Sequence, residues 1–509
     1  MTKSACPPLP DPADALGADA APSQSEFRLV LFALLLATAL GAFERSIVSA
    51  AMPQIGAELG GIENLSWTIS TFMIAQGVSI PIYGKLGDEM GKKKLLSIAI
   101  LIFIAGSLLS GISNSMEMLI LSRGLQGIGA GGLATLPTAA IGHFIGPLER
   151  ARYQGLFVTV FGLCSILGPA VGGFLTTLYG WRSVFLVNLP LGLLVLELIR
   201  RHYRSHEPLS PRQPFDYAGT LILGVTTVLL MLLLTWGGTR HPWSAPIMLW
   251  LAAATAALAT TFCVWQRVAT APIFPMTMLR AKGFYQALLI SCAIGAGFYG
   301  TSVYLPLYFQ VAMGQPASVA GALIVPLVLG NIAGATLTGR LIARTAHARL
   351  PLMVGCGIVS AGFFLMSRID PGQSLIVPFE ICLAITGFGG GLCMPTLVIV
   401  VQSRIPAEQL GIATAAMTFM NTLAGAAGVA LAGSMLNARL DALLPAGSHA
   451  LVVIEGAALE ISPAIATAYA QAFNGLFLTS ALLCGLACLL SWATPSRLDD
   501  RAPRLTPSA

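Results

Sequence analysis

The chain has 509 residues, 55% of them hydrophobic and only 10% charged, with a formal net charge of +6 and a mean hydropathy of +0.79. Soluble domains carry about 25% charged residues, so this composition argues against a soluble enzyme and against a nucleic-acid binder. Apolar runs of about 20 residues, the length that crosses a hydrocarbon core of about 30 Å, recur along nearly the whole sequence, and an all-α polytopic membrane protein is the class that remains.

Residues 1–27 are rich in Pro, Ala, Asp and Ser, contain no apolar run and read as a disordered cytosolic tail. No basic stretch followed by a short apolar core opens the chain, so a signal peptide is not expected. Fourteen apolar segments follow, beginning near Leu29, Ser66, Leu95, Met118, Tyr153, Val184, Tyr217, Ala245, Phe284, Ser318, Leu352, Leu375, Gly411 and Gln471. With the N-terminus inside, 22 of the 28 Lys and Arg fall in inner stretches. Four fall in outer loops (Arg182, Arg240, Arg368, Arg439), and Arg45 and Arg123 lie within spans. That bias places both termini in the cytosol. Trp67, Trp181, Trp243, Trp265 and Trp492 stand at segment edges, where an interfacial belt belongs. The nine cysteines show no paired spacing, so neither a disulfide framework nor a metal site is expected.

Four glycine patterns recur at nearly one offset. Gly84-Lys-Leu-Gly-Asp is echoed by Gly339-Arg-Leu-Ile-Ala-Arg at 255, Gly155 by Gly411 at 256, Gly168-Pro-Ala-Val-Gly by Gly425-Ala-Ala-Gly at 257, and Gly127-Ile-Gly-Ala-Gly-Gly by Gly387-Phe-Gly-Gly-Gly at 260. Two six-helix halves account for this, residues 28–201 and 284–492, with an inserted helix pair and its flanking inner loops at 202–283. A long outer loop is expected at 436–470 and a second cytosolic tail at 493–509.

Three segments carry mechanism. The loop Gly84-Lys-Leu-Gly-Asp88-Glu-Met-Gly91-Lys92-Lys-Lys94 combines glycines for a tight turn, an acid able to meet a helix terminus, and a Lys run that fixes it inside. Leu119-Ile-Leu-Ser-Arg123-Gly-Leu-Gln126-Gly places an arginine deep in span four. Such a charge costs at least about 2.5–3.5 kcal/mol on insertion scales, so it should face an interior or a wet cavity and have a partner. Gly162-Leu-Cys-Ser-Ile-Leu-Gly168-Pro169-Ala-Val-Gly172-Gly173 pairs a helix-bending proline with small residues at four-residue spacing for close packing.

In this order the three segments resemble the signatures of the major facilitator superfamily, and within it the 14-helix drug:proton antiporter branch. Gly180-Trp-Arg-Ser-Val-Phe-Leu-Val-Asn188-Leu-Pro-Leu-Gly192 is similar to that branch's entry to span six. The resemblance covers nearly all of Leu29 to Trp492 and implies a major-facilitator-type fold of fourteen transmembrane helices. It further implies export of lipophilic, often cationic compounds in exchange for protons, by alternating access, with no cofactor beyond the proton gradient. The expected setting is the plasma membrane, a bacterial inner membrane; a periplasmic adaptor is left open as a further partner. The chain departs from the branch at Glu44-Arg45, where an Asp and a small polar residue are usual, at Glu89 in place of Arg, and at Phe72 in place of a common Tyr.

A proton-coupled exporter needs a carboxylate whose proton affinity changes as its surroundings open and close. Glu44 is the first candidate, Arg123 its expected partner, and Glu380 in span twelve the second acid. Arg45, next to Glu44, should not simply neutralise it, because adjacent helical positions do not face each other. Arg45, Trp67, Gln76, Gln126 and Asn421, with Phe161, Tyr299, Tyr304 and Phe419, are candidates for the substrate path. Arg45 and Arg123 also motivate an alternative, export of an anionic metabolite or antibiotic; a non-transporting receptor of the same fold is a third reading. No Gly-x-x-x-x-Gly-Lys-Ser/Thr occurs, so an ATP-driven pump is not expected, nor is an enzyme.

Overall fold

The computed structural model of the protein describes residues 24–60, 64–145, 147–203, 215–238, 240–279, 281, 283–369, 376–403, 405–406, 409–444 and 463–496. The long helices among them are α1 (Gln24–Leu59), α2 (Leu65–Met90), α3 (Lys92–Gly111), α4 (Met116–Ala140), α5 (Pro147–Tyr179) and α6 (Arg182–His202), which is interrupted only by a turn at Val187. Then follow α7 (Tyr217–Trp236) and α8 (Pro246–Val268), α9 (Phe284–Ala312) and α10 (Val319–Thr345). The chain closes with α11 (Arg349–Met366), α12 (Ile376–Gln402), α13 (Leu410–Leu443) and α14 (Pro463–Ser491). Twelve of these are long and apolar enough to cross a membrane by length and composition. The other two, α2 and α4, have 26 and 25 residues but carry Lys85, Asp88 and Glu89, or Arg123 and a glycine run.

Local chemistry sets the helix ends. Ser115 caps α4 by accepting from the Met118 N–H at 3.2 Å, and Asp216 caps α7 by accepting from the Gly219 N–H at 2.7 Å. Gly91, at φ 88°, makes the one-residue turn from α2 into α3, a conformation that favours glycine.

Helices α1 to α6 pack as one half and α9 to α14 as the other, each around its own buried apolar core. The repeated glycines bring backbones together in both. A methyl group at Gly127 would lie 2.4 Å from the Phe72 carbonyl on α2, and one at the equivalent Gly387 would lie 1.9 Å from the Leu327 carbonyl on α10. The inserted pair α7–α8 packs at the junction of the halves, α7 touching α2 and α13. Trp67 meets Trp236 edge-on at 5.9 Å, and Leu223 joins Ile80, Ala415 and Phe419 in a shared apolar cluster. Beyond α7, the Trp243 indole donates to Ser434 at 2.8 Å and Asn437 donates to the Gly238 carbonyl at 3.2 Å.

Two boundaries need correction. Residues 24–27, expected in the tail, belong to α1, because Phe27 is held edge-on against Phe144 and Tyr153. The outer loop expected at 436–470 is shorter: α13 continues to Leu443 with Leu436 and Leu440 buried, and α14 starts at Pro463 with Ala468 to Ala470 buried. Residues 1–23 and 497–509 lie outside the described residues.

Candidate functional site

Glu44 stands on the face of α1 that meets α4 and α6, and it is 0% exposed. One carboxylate oxygen pairs with the Arg123 guanidinium; the other accepts from the Asn188 amide at 2.6 Å. Arg123 also donates to the Gln126 side-chain oxygen at 2.6 Å and to the Thr68 carbonyl at 3.2 Å. Its guanidinium lies 4.2 Å from the centre of the Phe72 ring, a cation–π contact. Gln126 donates to Ser107 at 2.7 Å, which closes the network on α3. An ion pair this dry is costly unless its other donors and acceptors are engaged, and Arg123 makes three hydrogen bonds in all. Asn188 Oδ1 is buried without a hydrogen-bond partner.

One residue on, the geometry reverses. A step of about 100° turns Arg45 away from Glu44, onto a face of α1 shared by exposed Ser49 and Pro53. Gln76 on α2 accepts from Arg45 at 2.6 Å and donates to the Ala130 carbonyl at 3.3 Å. On the other side of that face, Gly168 and Gly172 of α5 press on α1: methyl groups there would lie 2.3 Å from Ser46 Cβ and 2.4 Å from the Ile47 carbonyl. Gly162 instead meets Val328 and Ile332 of α10. Phe161 and Pro169 are exposed and Ser165 half-buried between those two contacts. Nothing lies within 4 Å of the Cβ direction of Gly173. The exposed faces of α1 and α5 thus line a cleft between the halves, with Tyr299 of α9 within electrostatic reach of Arg45 from the far side.

The cleft is shut at the end where Gly91 turns α2 into α3; the segment expected as a Lys-rich loop is helical on both sides of that residue, with the Lys run opening α3. Asp88 accepts from the Gly411 and Ile412 N–H groups at 2.9 and 2.8 Å, where α13 begins, and pairs with Lys92 at 2.7 Å. A carboxylate at a helix N-terminus is doubly favoured, by unsatisfied amides and by the macrodipole. Lys85 pairs with Glu89 at 3.0 Å, so the departure at position 89 makes a local ion pair. Gly84 and Gly411 face each other: a methyl at Gly84 would lie 2.3 Å from Ala415 Cβ. The second seam repeats the arrangement, with Gly339 and Gly155 against the Ala151 and Ala335 carbonyls. At the opposite end, α1 stays exposed through Gln54, Ala57 and Glu58.

Other candidates lie elsewhere. Gln126 is sealed in the Arg123 network, because a residue three positions on shares its buried face. Trp67 and Phe419 face the inserted pair. Asn421 is half buried in the second half, donating to Ser291 Oγ at 3.3 Å. Tyr304 donates to the Val429 carbonyl at 3.2 Å. Glu380 is half buried at the fifth residue of α12, without an ion-pair partner among the described residues and apart from Arg123. Asn188, Ser107 and Thr68 were not singled out as functional by the sequence. The signal for Asn188 was an amide within an apolar span, which demands a partner. Among the described residues no group of three or more His, Cys, Asp or Glu is placed to hold a metal.

The family model described as Major Facilitator Superfamily matches residues 34–429. The chain is 31% identical to the multidrug transporter protein MdtP of Bacillus subtilis over 457 residues, which is 90% of this chain and 83% of that one. It is 30% identical to multidrug resistance protein 3 of the same organism, across 81% of this chain and 80% of that one. Efflux pump dotC of Dothistroma septosporum is 31% identical, across 80% and 71%. Among solved structures, the proton:xylose symporter XylE superposes with a TM-score of 0.63 at 13% identity, covering 94% of this chain and 98% of that one.

Proposed function

The chain belongs to the major facilitator superfamily, and from that premise we propose that it is a proton-coupled efflux transporter, moving lipophilic drugs or toxic compounds through the cleft by alternating access. Its relatives named as multidrug transporters and efflux pumps support the efflux half of this reading. The observation that carries the coupling half is Glu44, a carboxylate buried in the middle of α1 and paired with Arg123.

Protonation of Glu44 removes its attraction for Arg123 and leaves a buried cation seeking other acceptors, so the proton changes the tie between α1 and α4. That tie lies directly behind the cleft face of α1. We further infer fourteen crossings, with α2 and α4 crossing beside their apolar neighbours, and both termini in the cytosol. The Lys-rich end is then the cytosolic gate, and the cleft opens outward in a plasma membrane. Lipophilic cations, the class the resemblance implies, would have to draw Glu44 out of its pair, because its carboxylate does not reach the cleft.

The test is substrate-driven proton release in inside-out membrane vesicles, with lipophilic dyes and Glu44→Gln. Release in the natural protein that vanishes in the variant, with dye binding retained, is the expected outcome. Unchanged release would refute the role of Glu44 and move it to Glu380. No response to any cationic dye would refute the cationic class.

A further inference from the structure

Arg45 sits in the middle of α1 yet is exposed. Its guanidinium offers five N–H donors, of which the described residues take up one, through Gln76. No carboxylate pairs with it among the described residues. The neighbouring acid, Glu44, faces the other way and is committed to Arg123 and Asn188. Gln76 is itself anchored on α4, so the fork is held in place before any ligand arrives. In the other half Tyr299, within electrostatic reach of Arg45, closes a π-helical turn at Gly295–Tyr299, a local distortion common at functional sites. The Tyr299 hydroxyl has no hydrogen-bond partner among the described residues. On the same face of α1, Ser49 is exposed, its hydroxyl donating to the Ser46 carbonyl at 2.6 Å, and Phe161 of α5 is exposed. A preoriented guanidinium with a phenol hydroxyl of the other half within electrostatic reach makes a receptor for an oxyanion carried on an apolar body.

We propose that Arg45 and Tyr299 form an anion-recognition site in the cleft, which takes the carboxylate, phenolate or sulfonate of lipophilic organic acids. The inference rests on the reading of the cleft as the transport path and is independent of which acid carries the proton. Because Arg45 and Tyr299 come from different halves, such an anion bridges the two moving bodies.

The test uses two dyes built on one ring system, fluorescein as the anion and rhodamine 6G as the cation. Their binding to the purified full-length protein in nanodiscs is read by fluorescence anisotropy. Fluorescein should bind, and Arg45→Gln should weaken it at least about tenfold, the scale of a hydrogen bond to a charged group. Arg45→Lys should retain part of the affinity, and Tyr299→Phe should lower it a few-fold. Rhodamine 6G should not be weakened by Arg45→Gln. Equal fluorescein binding by the natural protein and Arg45→Gln, with thermal unfolding unchanged, would overturn the proposal. So would a natural protein that prefers rhodamine 6G to fluorescein. Absence of dye flux in vesicles together with Arg45-dependent fluorescein binding would refute the efflux reading and leave the site standing.

Discussion

Replacing Asp88 with Asn should open the Lys-rich end of the molecule. The carboxylate accepts from two N–H groups of α13 and from the Lys92 ammonium. An asparagine of the same shape keeps one acceptor oxygen and turns an NH2 group toward an amide N–H, so one charge-assisted bond is lost and another is weakened. Hydrogen bonds to charged groups contribute about 1.5–3 kcal/mol each, and loss of the charge at the helix N-terminus adds about 0.3–1 kcal/mol. A net loss of about 3 kcal/mol shifts the ratio of closed to open molecules roughly 150-fold. The readout is the distance between spin labels at Met90 and Arg344, both exposed at that end of opposite halves, in a background without native cysteines. A longer distance should become populated in Asp88→Asn. The same distance distribution in both proteins would show that Asp88 does not hold the gate.

The second seam should respond in parallel. Gly339→Val places a side chain whose Cβ lies 2.5 Å from the Ala151 carbonyl, and overpacking of this kind costs about 1–3 kcal/mol. The same spin-label pair should lengthen, and a closed gate in Gly339→Val would refute the contact. Arg123→Gln strands Glu44 in a dry site, a loss of about 3–5 kcal/mol when one partner of a buried pair is removed. Glu44→Gln combined with Arg123→Gln should recover most of it, which thermal unfolding of the purified variants measures; simple additivity would show that the two side chains do not interact.

What the sequence made legible follows from periodicity. Apolar runs gave the helical spans, and glycines repeated at an offset near 256 marked the contacts between and within the halves. Gly84 and Gly339 lie on the two seams as copies of one another. The demand that Arg123 find a partner followed from its depth, and the structure supplies Glu44. The divergence of Arg45 from Glu44 was readable from the helical step alone. By the same rule Gln126 should have been placed behind Arg123 and not on the path, since i and i+3 share a face. Asn188, Ser107 and Thr68 were not readable as a group, because their convergence depends on how four helices are rotated about their axes. Trp67 misled because its partner, Trp236, belongs to an insertion about 170 residues away, and no local pattern encodes such a contact.

The position of the inserted pair also decides which route from the bilayer is available. The two halves meet along two flanks, α2 with α13 and α5 with α10. Helix α7 lies over the first, sealed to it by Trp236, Leu223 and the bonds of Trp243 and Asn437. A hydrophobic compound dissolved in the acyl chains therefore meets an upholstered wall on that flank. On the efflux reading, sideways entry from the lipid would be left to the flank of α5 and α10, and membrane-borne cargo would come from one side only.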